Sequence, residues 1–570
     1  MSPFAPPLPP DPVGRALHVE LSDGVRLAVD VWLPAELGDG ERIGTVLRAT
    51  RYHRADEGDG VTAEARRWTG WGYALVLVDA RGSGASFGSR EAELSRREIE
   101  DYGEVLDWIA RQPWSNGRAG AYGHSYDADT AELMASLGNP VLRAVAPLFP
   151  DYDVYGDLMA PGGVPNRLMT DSWLHMTRAL DGIDGALEEV AALGETIATE
   201  IAPVKPVDGP GGPALREAAI REHQANADLR AAIARTPFKD DVDGGWSWAA
   251  ASPQTHREAT ARAGVPTMPV ASWFDAGTAA GTLTRFAVLD VPQEAYVGAW
   301  SHGAKYTCDP FRAEDERSEF EEAEVYRRVR DFFDRYVQRG ETPRPGRRLH
   351  YLTLASGEWA TTETWPPRGT ATTRWYLGAE HALTLEPPAQ EAAVDVYRPD
   401  PSATAGASSR WGTQVSGGGA VVYPDRAAQD ARLLTYTSAP LERDAHVAGT
   451  VAIVLELSSS HPDGTLFAYL EDVAPNGRVT YLTEGQLLLS QRARSFARAD
   501  ARPLQPGTVE TVRIELFPVS AVVRAGHRLR IALASNDASH FETVPADGEV
   551  TYELHRERDR PSWVEVPVAP

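Results

Sequence analysis

Ser125 is the residue whose type and position first indicate catalytic chemistry. It follows Gly123 and a short strand pattern at residues 119–122, and a helix pattern begins at Tyr126. A tight turn between a strand and a helix exposes a serine hydroxyl above the sheet edge, and the first N–H groups of the helix can stabilise an oxyanion. The fifth position of this turn is Asp127 instead of the glycine of the usual Gly-x-Ser-x-Gly signature. Taken alone, Ser125 also fits a helix N-cap, so its role depends on its partners.

Asp275 and His302 are the residues that could activate this serine. A serine nucleophile needs a base to take its proton and an acid to orient the base. Asp275 follows the strand pattern at 270–274, and His302 follows the one at 295–300. Both lie at the carboxyl ends of predicted strands, where the sites of open α/β sheets form. We therefore predict a Ser125, Asp275 and His302 triad. The alternatives are a helix N-cap for Asp275 and an ordinary loop histidine for His302.

The residues before Ser125 predict alternating strands and helices. Two alternating runs, 16–20 and 25–33, flank the turn signal Ser22-Asp23-Gly24 and predict a hairpin. The continuous apolar run at 73–79 predicts a buried parallel strand, and apolar residues at helical spacing predict a helix over 98–111. With a further strand at 141–146, this order predicts the α/β class, a parallel sheet covered by helices on both faces.

Two later changes of pattern predict two further domains. Residues 171–236 are typical of helices, and strand patterns return at 267–273, so a helical segment is inserted into the sheet domain. From about residue 350 onward, short alternating runs separated by Gly, Pro, Asp and Asn predict an antiparallel jelly roll. The predicted organisation is an α/β core at residues 1–150 and 265–349, a helical cap at 151–264 and a jelly-roll β-sandwich at 350–570.

The composition of the 570 residues excludes several classes of function. The formal net charge of −25 disfavours binding to nucleic acid or to an anionic membrane surface. The single cysteine, Cys308, excludes an intramolecular disulfide and a cysteine-rich zinc site. Residues 1–12 lack the features of a signal peptide, and no run of about 18 apolar residues predicts a membrane span. We expect a cytoplasmic protein that needs no metal and no other cofactor.

Several segments carry motifs that occur together in one known family. They are residues 22–27, 79–88, 114–126, Asp153-Val154-Tyr155 with Pro161-Gly162-Gly163, 272–275 and 298–302, followed by 440–441 and 524–529. In this order they resemble the family of cocaine esterase, X-prolyl dipeptidyl-peptidases and α-amino-acid ester hydrolases. The resemblance covers nearly the whole chain.

The resemblance implies an α/β-hydrolase core, a helical cap and a C-terminal jelly roll. It also implies an oxyanion hole built from the hydroxyl of Tyr52 and the backbone N–H of Tyr126. A phenol with a pKa of about 10 remains protonated at neutral pH and can donate. Two positions depart from the family pattern: Ala128, next to Asp127, replaces a usual glycine, and Arg54 stands where a lysine often follows the tyrosine. Neither change removes a triad atom, so an active enzyme is expected.

Three functions are compatible with these observations. The first is a serine hydrolase, a carboxylesterase or acylase, that cleaves an ester or amide of a small acyl compound. The second is an aminopeptidase-like enzyme or α-amino-acid ester hydrolase, which needs carboxylates near the nucleophile to bind a free α-ammonium group. The third is an inactive binding protein on a hydrolase fold, against which the complete triad argues. Candidate substrate contacts are Asp127, Asp151, Asp153, Asp157 and Tyr155; the acids also fit solvated side chains or helix caps. The sequence leaves the substrate's identity and homo-oligomerisation open.

Overall fold

The N-terminal part of the protein forms a ten-stranded sheet. The computed structural model describes residues 11–192, 201–312, 322–415, 418–546 and 549–570. The strands of this sheet are β1 (Val13–Glu20), β2 (Arg26–Leu33), β3 (Ile43–Thr50), β4 (Ala74–Asp79), β5 (Ser115–His124), β6 (Leu142–Leu148), β7 (Val270–Ser272), β8 (Gln293–Gly298), β9 (Arg347–Thr353) and β10 (Glu358–Thr362). They lie in the order β1-β2-β4-β3-β5-β6-β7-β8-β9-β10.

The strand directions agree with the α/β prediction. From β4 through β9 in this order, each strand runs parallel to its neighbour. Antiparallel pairs occur at the two edges, where β1 and β2 form the predicted hairpin and β10 follows β9. All six residues of β4 are buried, as expected for a strand that is covered on both faces.

Helices cover this sheet and form the insertion above it, and the last two given below lie among the C-terminal strands. In the described part of the chain they are α1 (Ala63–Gly70), α2 (Arg96–Ala110), α3 (Tyr126–Ala135), α4 (Arg167–Leu180), α5 (Ala186–Ala192), α6 (Gly212–His223), α7 (Leu229–Arg235), α8 (Trp248–Ala251), α9 (Arg257–Ala263), α10 (Thr278–Val288), α11 (Glu322–Phe333), α12 (Gly412–Val415) and α13 (Ala427–Asp430). The helix predicted over 98–111 corresponds to α2, which buries its apolar face. Ser95 begins α2 by accepting a hydrogen bond from the N–H of Glu98.

The helical insertion lies between β6 and β7. It opens with a π-helical segment, Val154–Met159, and continues through α4 to α9. At the start of α4, the side chain of Asn166 accepts a hydrogen bond from the N–H of Met169, which satisfies one of the free donors at that helix end. Leu158, Trp173 and Trp248 of this insertion line one cavity with Ser125, so the helices predicted between residues 151 and 264 lie over the carboxyl end of β5.

The C-terminal part of the protein is rich in β-strands. They are β11 (Ala371–Leu377), β12 (Ala382–Thr384), β13 (Val394–Tyr397), β14 (Leu434–Ser438), β15 (Ala445–Gly449), β16 (Ala452–Ser459), β17 (Thr465–Val473), β18 (Val479–Leu488), β19 (Glu510–Glu515), β20 (Val519–Val523), β21 (Arg528–Ala534), β22 (Tyr552–His555) and β23 (Trp563–Ala569). Among the strands described here, the pairs are antiparallel apart from β12 with β14.

The first sheet extends further along the chain than the sequence predicts. β9 pairs with β8 and β10 pairs with β9, so the predicted boundary at residue 350 falls inside β9. Short alternating runs look alike whether they extend one sheet or begin another, because the alternation of side chains is a local property of a strand. The strand predicted at 267–273 is also longer than β7, which begins only after Pro269, a residue without an N–H for the ladder.

One hydrophobic core joins the first sheet to the C-terminal domain. Trp273, Phe274 and Leu349 belong to the same buried cluster as Leu455 of β16. The indole Nε1 of Trp273 donates to the carbonyl of Leu352 at 2.8 Å. Through Trp273 and Phe274, the loop that follows β7 and carries Asp275 shares its hydrophobic cluster with the C-terminal domain.

Candidate active site

Ser125 occupies a strained turn at the carboxyl end of β5. It has φ 62° and ψ −127°, a conformation that residues other than glycine rarely adopt. Its side chain makes no capping hydrogen bond to α3, so capping does not account for this serine. The turn requires glycine at position 123, because a Cβ there would lie 2.2 Å from the backbone of Asp127. Local backbone geometry therefore presents Ser125 at the sheet edge.

Asp275 and His302 meet at the carboxyl ends of β7 and β8. Nδ1 of His302 lies 2.8 Å from Oδ2 of Asp275, and both side chains are buried. Asp275 does not cap α10, whose N-cap is Gly277. His302 and Ser125 line the same cleft. The structure thus brings the predicted nucleophile, acid and base to one site.

Burial governs the charge state of this pair. Desolvation lowers the pKa of His302 below its ordinary value, and the ammonium of Lys305 lowers it further. His302 is therefore neutral at neutral pH, with Nδ1 bound to Asp275 and Nε2 as its basic nitrogen. Burial raises the pKa of the Asp275 carboxyl, against the opposing effects of the Arg410 charge and a hydrogen bond from Gln414.

Tyr52 and Tyr126 both lie beside Ser125. The hydroxyl of Tyr52, after β3, accepts a hydrogen bond of 2.7 Å from the indole Nε1 of Trp173. Because that bond occupies a lone pair of the oxygen, the phenolic proton is left to donate elsewhere. Burial raises the pKa of Tyr52, so the proton stays in place at neutral pH. Tyr126 is the first residue of α3. The N–H groups in the first turn of a helix have no carbonyl acceptor within that helix, so the backbone N–H of Tyr126 can donate to another group.

Buried ion pairs hold the loop that carries Tyr52. Arg54 is almost completely buried; its Nε donates to Asp30 at 2.8 Å and its guanidinium also binds Asp79 at 2.6 Å. On the other side of Tyr52, Arg51 has two acidic partners as well. Removing one partner of a buried pair is strongly destabilising, so this loop has little freedom to move.

Two cavities meet at Ser125. The smaller one, the aromatic chamber, has a volume of about 50 Å³ and lies under the cap; its apolar walls include Leu158, Met159, Met169, Trp173, Trp246 and Trp248. The larger one, the open cleft, has a volume of about 840 Å³ and more polar walls, including Arg48, Glu64, His124, His302 and Lys305. Ser125 and Tyr52 line both cavities. A carbonyl at Ser125 would therefore have one cavity for each of the two groups attached to it.

Asp127 lines the open cleft and Asp151 the aromatic chamber, and each has a buried Oδ1 without a hydrogen-bond partner in the described part of the chain. Oδ2 of Asp127 is 3.1 Å from the guanidinium of Arg48, and burial raises the pKa of Asp127 to about 6 despite this partner. Asp151 lines the aromatic chamber. Its Oδ1 is buried and has no hydrogen-bond partner within the described ranges, so Asp151 is available to a positively charged or hydrogen-donating ligand.

Asp153, Tyr155 and Asp157 are not placed at either cavity. Asp153 pairs with Lys239, and the hydroxyl of Tyr155 donates to the carbonyl of Pro237 at 2.9 Å. Asp157 accepts hydrogen bonds from two backbone N–H groups of its own segment. These side chains therefore stabilise the start of the cap, and none of the three lines the chamber or the cleft.

Asp129 and Trp173 are site residues that the sequence analysis did not identify. Asp129 lines the aromatic chamber, and its Oδ1 accepts a hydrogen bond of 2.9 Å from the N–H of Asp151. Burial raises the pKa of both carboxyls. The spacing of four residues from Ser125 on a predicted helix could have indicated Asp129. Trp173 had no such signal, because it is 121 residues from Tyr52 in sequence.

His124 packs against the candidate base. The centroids of the His124 and His302 rings are 4.1 Å apart. Burial, and then the neighbouring His302, lower the pKa of His124 well below its ordinary value. His124 is therefore neutral and places no second charge beside His302.

The described ranges contain neither a metal-binding cluster nor a membrane-spanning helix. Within them, no three His, Cys, Asp or Glu side chains are grouped so that they could hold a metal ion. No helix in that part of the chain is both long and apolar enough to cross a bilayer.

Comparisons with known sequences match most of the chain. The model of the X-Pro dipeptidyl-peptidase (S15 family) matches residues 23–304, and that of the X-Pro dipeptidyl-peptidase C-terminal non-catalytic domain matches residues 332–564. A Mycobacterium bovis protein named as a serine esterase is 36% identical over 97% of this chain and 94% of its own length. Cocaine esterase from a Rhodococcus species is 26% identical over 98% of each chain.

A solved structure has the same fold over the full length of the chain. It is an aminopeptidase from the marine sediment archaeon Thaumarchaeota archaeon, with a TM-score of 0.74 and 20% identity over 100% of this chain and 98% of that chain. At this identity the likeness concerns the fold alone. The predicted fold class, an α/β core followed by a β-rich C-terminal domain, is confirmed.

Proposed function

The chain belongs to the X-Pro dipeptidyl-peptidase (S15) family and is a serine hydrolase, and on this basis we propose that it hydrolyses esters or amides of small acyl compounds through an acyl-enzyme on Ser125. The observation that carries the proposal is the 2.8 Å contact between Nδ1 of His302 and Oδ2 of Asp275, in a cleft that Ser125 also lines. The alternative of an inactive binding protein is not retained, because the chain belongs to a family of hydrolases and is 36% identical to a protein named as a serine esterase.

The proposed reaction has two acyl-transfer steps. Nε2 of His302 takes the proton of Ser125 as the Ser125 oxygen bonds to the carbonyl carbon. The hydroxyl of Tyr52 and the N–H of Tyr126 donate to the oxyanion that forms. The bond to the leaving group then breaks, the leaving group departs with the proton from His302, and an acyl ester of Ser125 remains. Water attacks this ester with His302 again as base, and the acid is released as Ser125 regains its proton.

The two cavities support a division of the substrate between them. The aromatic chamber is small and apolar apart from its carboxylates, which favours a compact apolar acyl group because burying it removes apolar surface from water. The open cleft is larger and more polar than the chamber, which favours a leaving group that tolerates water. We therefore assign the acyl group to the chamber and the leaving group to the cleft.

A second candidate function is the hydrolysis of amino-acid esters or amides that carry a free α-ammonium group. The observation that favours it is the buried Oδ1 of Asp151, which lines the chamber without a hydrogen-bond partner in the described part of the protein. Asp129 lies next to it. An ammonium group would satisfy this oxygen and offset the cost of burying the carboxylates.

A substrate panel separates the two candidates. It contains p-nitrophenyl acetate and butyrate, phenylalanine methyl ester, its N-acetyl derivative and an X-Pro p-nitroanilide. Preference for the p-nitrophenyl esters and for the N-acetyl ester supports the first candidate. Preference for the free amine over its N-acetyl derivative supports the second. No turnover of any member would contradict both.

Ser125→Ala tests the nucleophile directly. The variant should lose both turnover and covalent labelling by a fluorophosphonate, because the attacking oxygen is gone. Ser22→Ala, in the exposed turn before β2, is the matched control and should be labelled like the wild type. Labelling of the Ser125→Ala protein at the wild-type rate would show that another residue is the nucleophile.

Asp151→Asn tests the ammonium site. The variant should raise KM for phenylalanine methyl ester and leave p-nitrophenyl butyrate unaffected, because only the first substrate carries a positive charge. Asp153→Asn, which changes a carboxylate outside the chamber, is the control. Equal effects of Asp151→Asn on both substrates would remove the second candidate.

A further inference from the structure

A loop of the C-terminal domain lies against the loops that carry the acid and the base. This docking loop, residues 408–415, lies between β13 and β14 and includes α12. Its Arg410 is buried and donates to the carbonyls of Trp273 at 2.7 Å and Ala276 at 3.2 Å. The N–H of Ala276 donates to the carbonyl of Arg410 at 2.9 Å. These bonds lie on both sides of Asp275 in the chain, so the docking loop sets the position of that segment.

Two more side chains of the docking loop contact the acid and the base themselves. Nε2 of Gln414 donates to Oδ1 of Asp275 at 3.0 Å. Oγ1 of Thr413 accepts a hydrogen bond of 2.7 Å from the backbone N–H of His302. Asp275 therefore has one carboxylate oxygen bound to Gln414 and the other bound to His302.

An amide donor suits the position that Gln414 occupies. Two bound oxygens restrict the rotation of the Asp275 carboxylate, so that Oδ2 remains directed at Nδ1 of His302. A lysine or arginine in the same place would also orient the carboxylate, but its charge would oppose the imidazolium that forms during the reaction. The neutral amide orients Asp275 and leaves its negative charge available to His302.

The docking loop is itself anchored in the C-terminal domain. Oγ of Ser409 lies 3.0 Å from Nε2 of His540, whose Nδ1 lies 2.9 Å from Oδ2 of Asp537. The indole of Trp411 donates to Glu484 of β18 at 2.6 Å. Ser409, His540 and Asp537 repeat the contacts of a catalytic triad, but Ser409 is only 2% exposed, so no substrate reaches it. These bonds hold the loop that presents Gln414.

We propose that Gln414 is a positioning residue for the triad, through which the C-terminal domain takes part in catalysis by orienting Asp275. The inference rests on the proposed function, since it takes Asp275 as the acid that holds His302. It assigns an active role to a region that the matching family model describes as non-catalytic.

The experiment compares Gln414→Leu and Gln414→Glu with the wild type in the full-length enzyme. Steady-state kinetics with the best p-nitrophenyl ester give kcat and KM, and the melting temperature reports on folding. Gln414→Leu keeps similar size and removes the donor. We expect kcat to fall by about 10- to 100-fold, the range typical of a hydrogen bond to a charged group, with KM within about twofold of wild type. Ser408→Ala, on the same loop, should have wild-type kinetics.

The pH profile supplies a readout that a purely structural role would not change. Gln414→Glu places a second carboxylate beside Asp275, and added negative charge raises the pKa of His302. The acid limb of kcat/KM should therefore move to higher pH. His124 and Lys305, which also act on the His302 ring, are unchanged in both variants.

Several outcomes would overturn the inference. Wild-type kcat in Gln414→Leu would do so, as would a change confined to KM, which would make Gln414 a substrate contact. An unmoved acid limb in Gln414→Glu would also count against it. If the wild type turns over none of the esters, the proposed function fails. The rate of fluorophosphonate labelling, which needs the same base, then tests Gln414 on its own.

Discussion

At the scale of single residues, Asp127 is the most unusual feature of the nucleophile turn. It places a carboxylate two residues after Ser125, yet that carboxylate is bound to Arg48 at 3.1 Å, whereas Asp275 binds His302. Position 127 lies in the first turn of α3, where the helix dipole favours a negative charge by about 0.3–1 kcal/mol. The local geometry therefore supports a structural role for Asp127.

Asp127→Asn and Asp275→Asn should consequently have very different effects on kcat/KM. Asp127→Asn should retain activity within about threefold, because Arg48 keeps its second partner, Glu64. Asp275→Asn should lose about 10⁴-fold, because the imidazole tautomer is no longer held. Steady-state kinetics with a p-nitrophenyl ester measure both. The reverse ranking of the two variants would show that the acid is misassigned.

The burial of His302 predicts how activity depends on pH. The base must be neutral to accept the Ser125 proton, and burial lowers the pKa at which His302 becomes charged. Activity should therefore persist as the pH falls through 6.5, the ordinary value for histidine, and decline only at lower pH. The pH profile of kcat/KM measures this limb.

Asp127 and Glu98 have raised pKa values close to this range and need their own controls. Burial raises the pKa of Asp127 to about 6 and that of Glu98, beneath Tyr126, to about 7. The acid limb should be unchanged in Asp127→Asn and in Glu98→Gln if it belongs to His302. If kcat/KM still declines with a midpoint above pH 6.5 in both variants, the prediction is contradicted.

At the scale of elements, the contact between α4 of the cap and the loop after β3 orients the candidate oxyanion donor. The indole Nε1 of Trp173 donates to the hydroxyl of Tyr52, and this bond directs the remaining phenolic proton away from Trp173. The cap therefore contacts the proposed oxyanion donor in addition to shaping the chamber.

Trp173→Phe should lower kcat by about 3- to 10-fold, since a neutral hydrogen bond contributes about 0.5–1.5 kcal/mol. Tyr52→Phe should lower kcat by about 10²- to 10³-fold, because it removes the donor itself. Trp246→Phe is the matched control: Trp246 lines the same chamber, and its Nε1 makes no hydrogen bond within the described ranges. If Tyr52→Phe changed KM alone, Tyr52 would shape the pocket and not serve as the donor.

At the scale of the whole molecule, Arg410 connects the C-terminal domain to the core beside the active site. Its guanidinium donates to the carbonyls of Trp273 and Ala276 and also contacts Thr483 and Tyr481 of β18. The same face contains the hydrophobic cluster that both domains share. The two domains are thus expected to stabilise each other.

Arg410→Met should therefore affect stability and activity together. It leaves buried carbonyl groups without a donor, which should lower the free energy of unfolding by about 2–4 kcal/mol. The melting temperature should fall, and kcat should fall because the Asp275 loop loses its support. Arg374→Met, at an exposed strand position, is the control and should change neither the melting temperature nor kcat. Wild-type stability in Arg410→Met would show that the interface does not depend on this side chain.

Much of the architecture could be predicted from the sequence because the relevant signals are local. Alternation with a period of two, continuous apolar runs and helical spacing depend on neighbouring residues, so they indicated β4, α2 and the hairpin of β1 with β2. The same holds for the turn at Ser125 and for the placement of Asp275 and His302 after strands. Local signals did not show which sheet a strand joins, so the sequence did not indicate that β9 and β10 extend the first sheet.

The contacts that complete the site were decided by the tertiary structure alone. Gln414 lies 139 residues from Asp275 in sequence, and Trp173 lies 121 residues from Tyr52. A glutamine or tryptophan in a loop or cap has no local pattern that identifies its partner, because such contacts form only when distant segments pack together. The sequence by itself therefore predicted the residues that we propose to carry the chemistry, whereas packing between domains decided which residues contact them and what space lies around them.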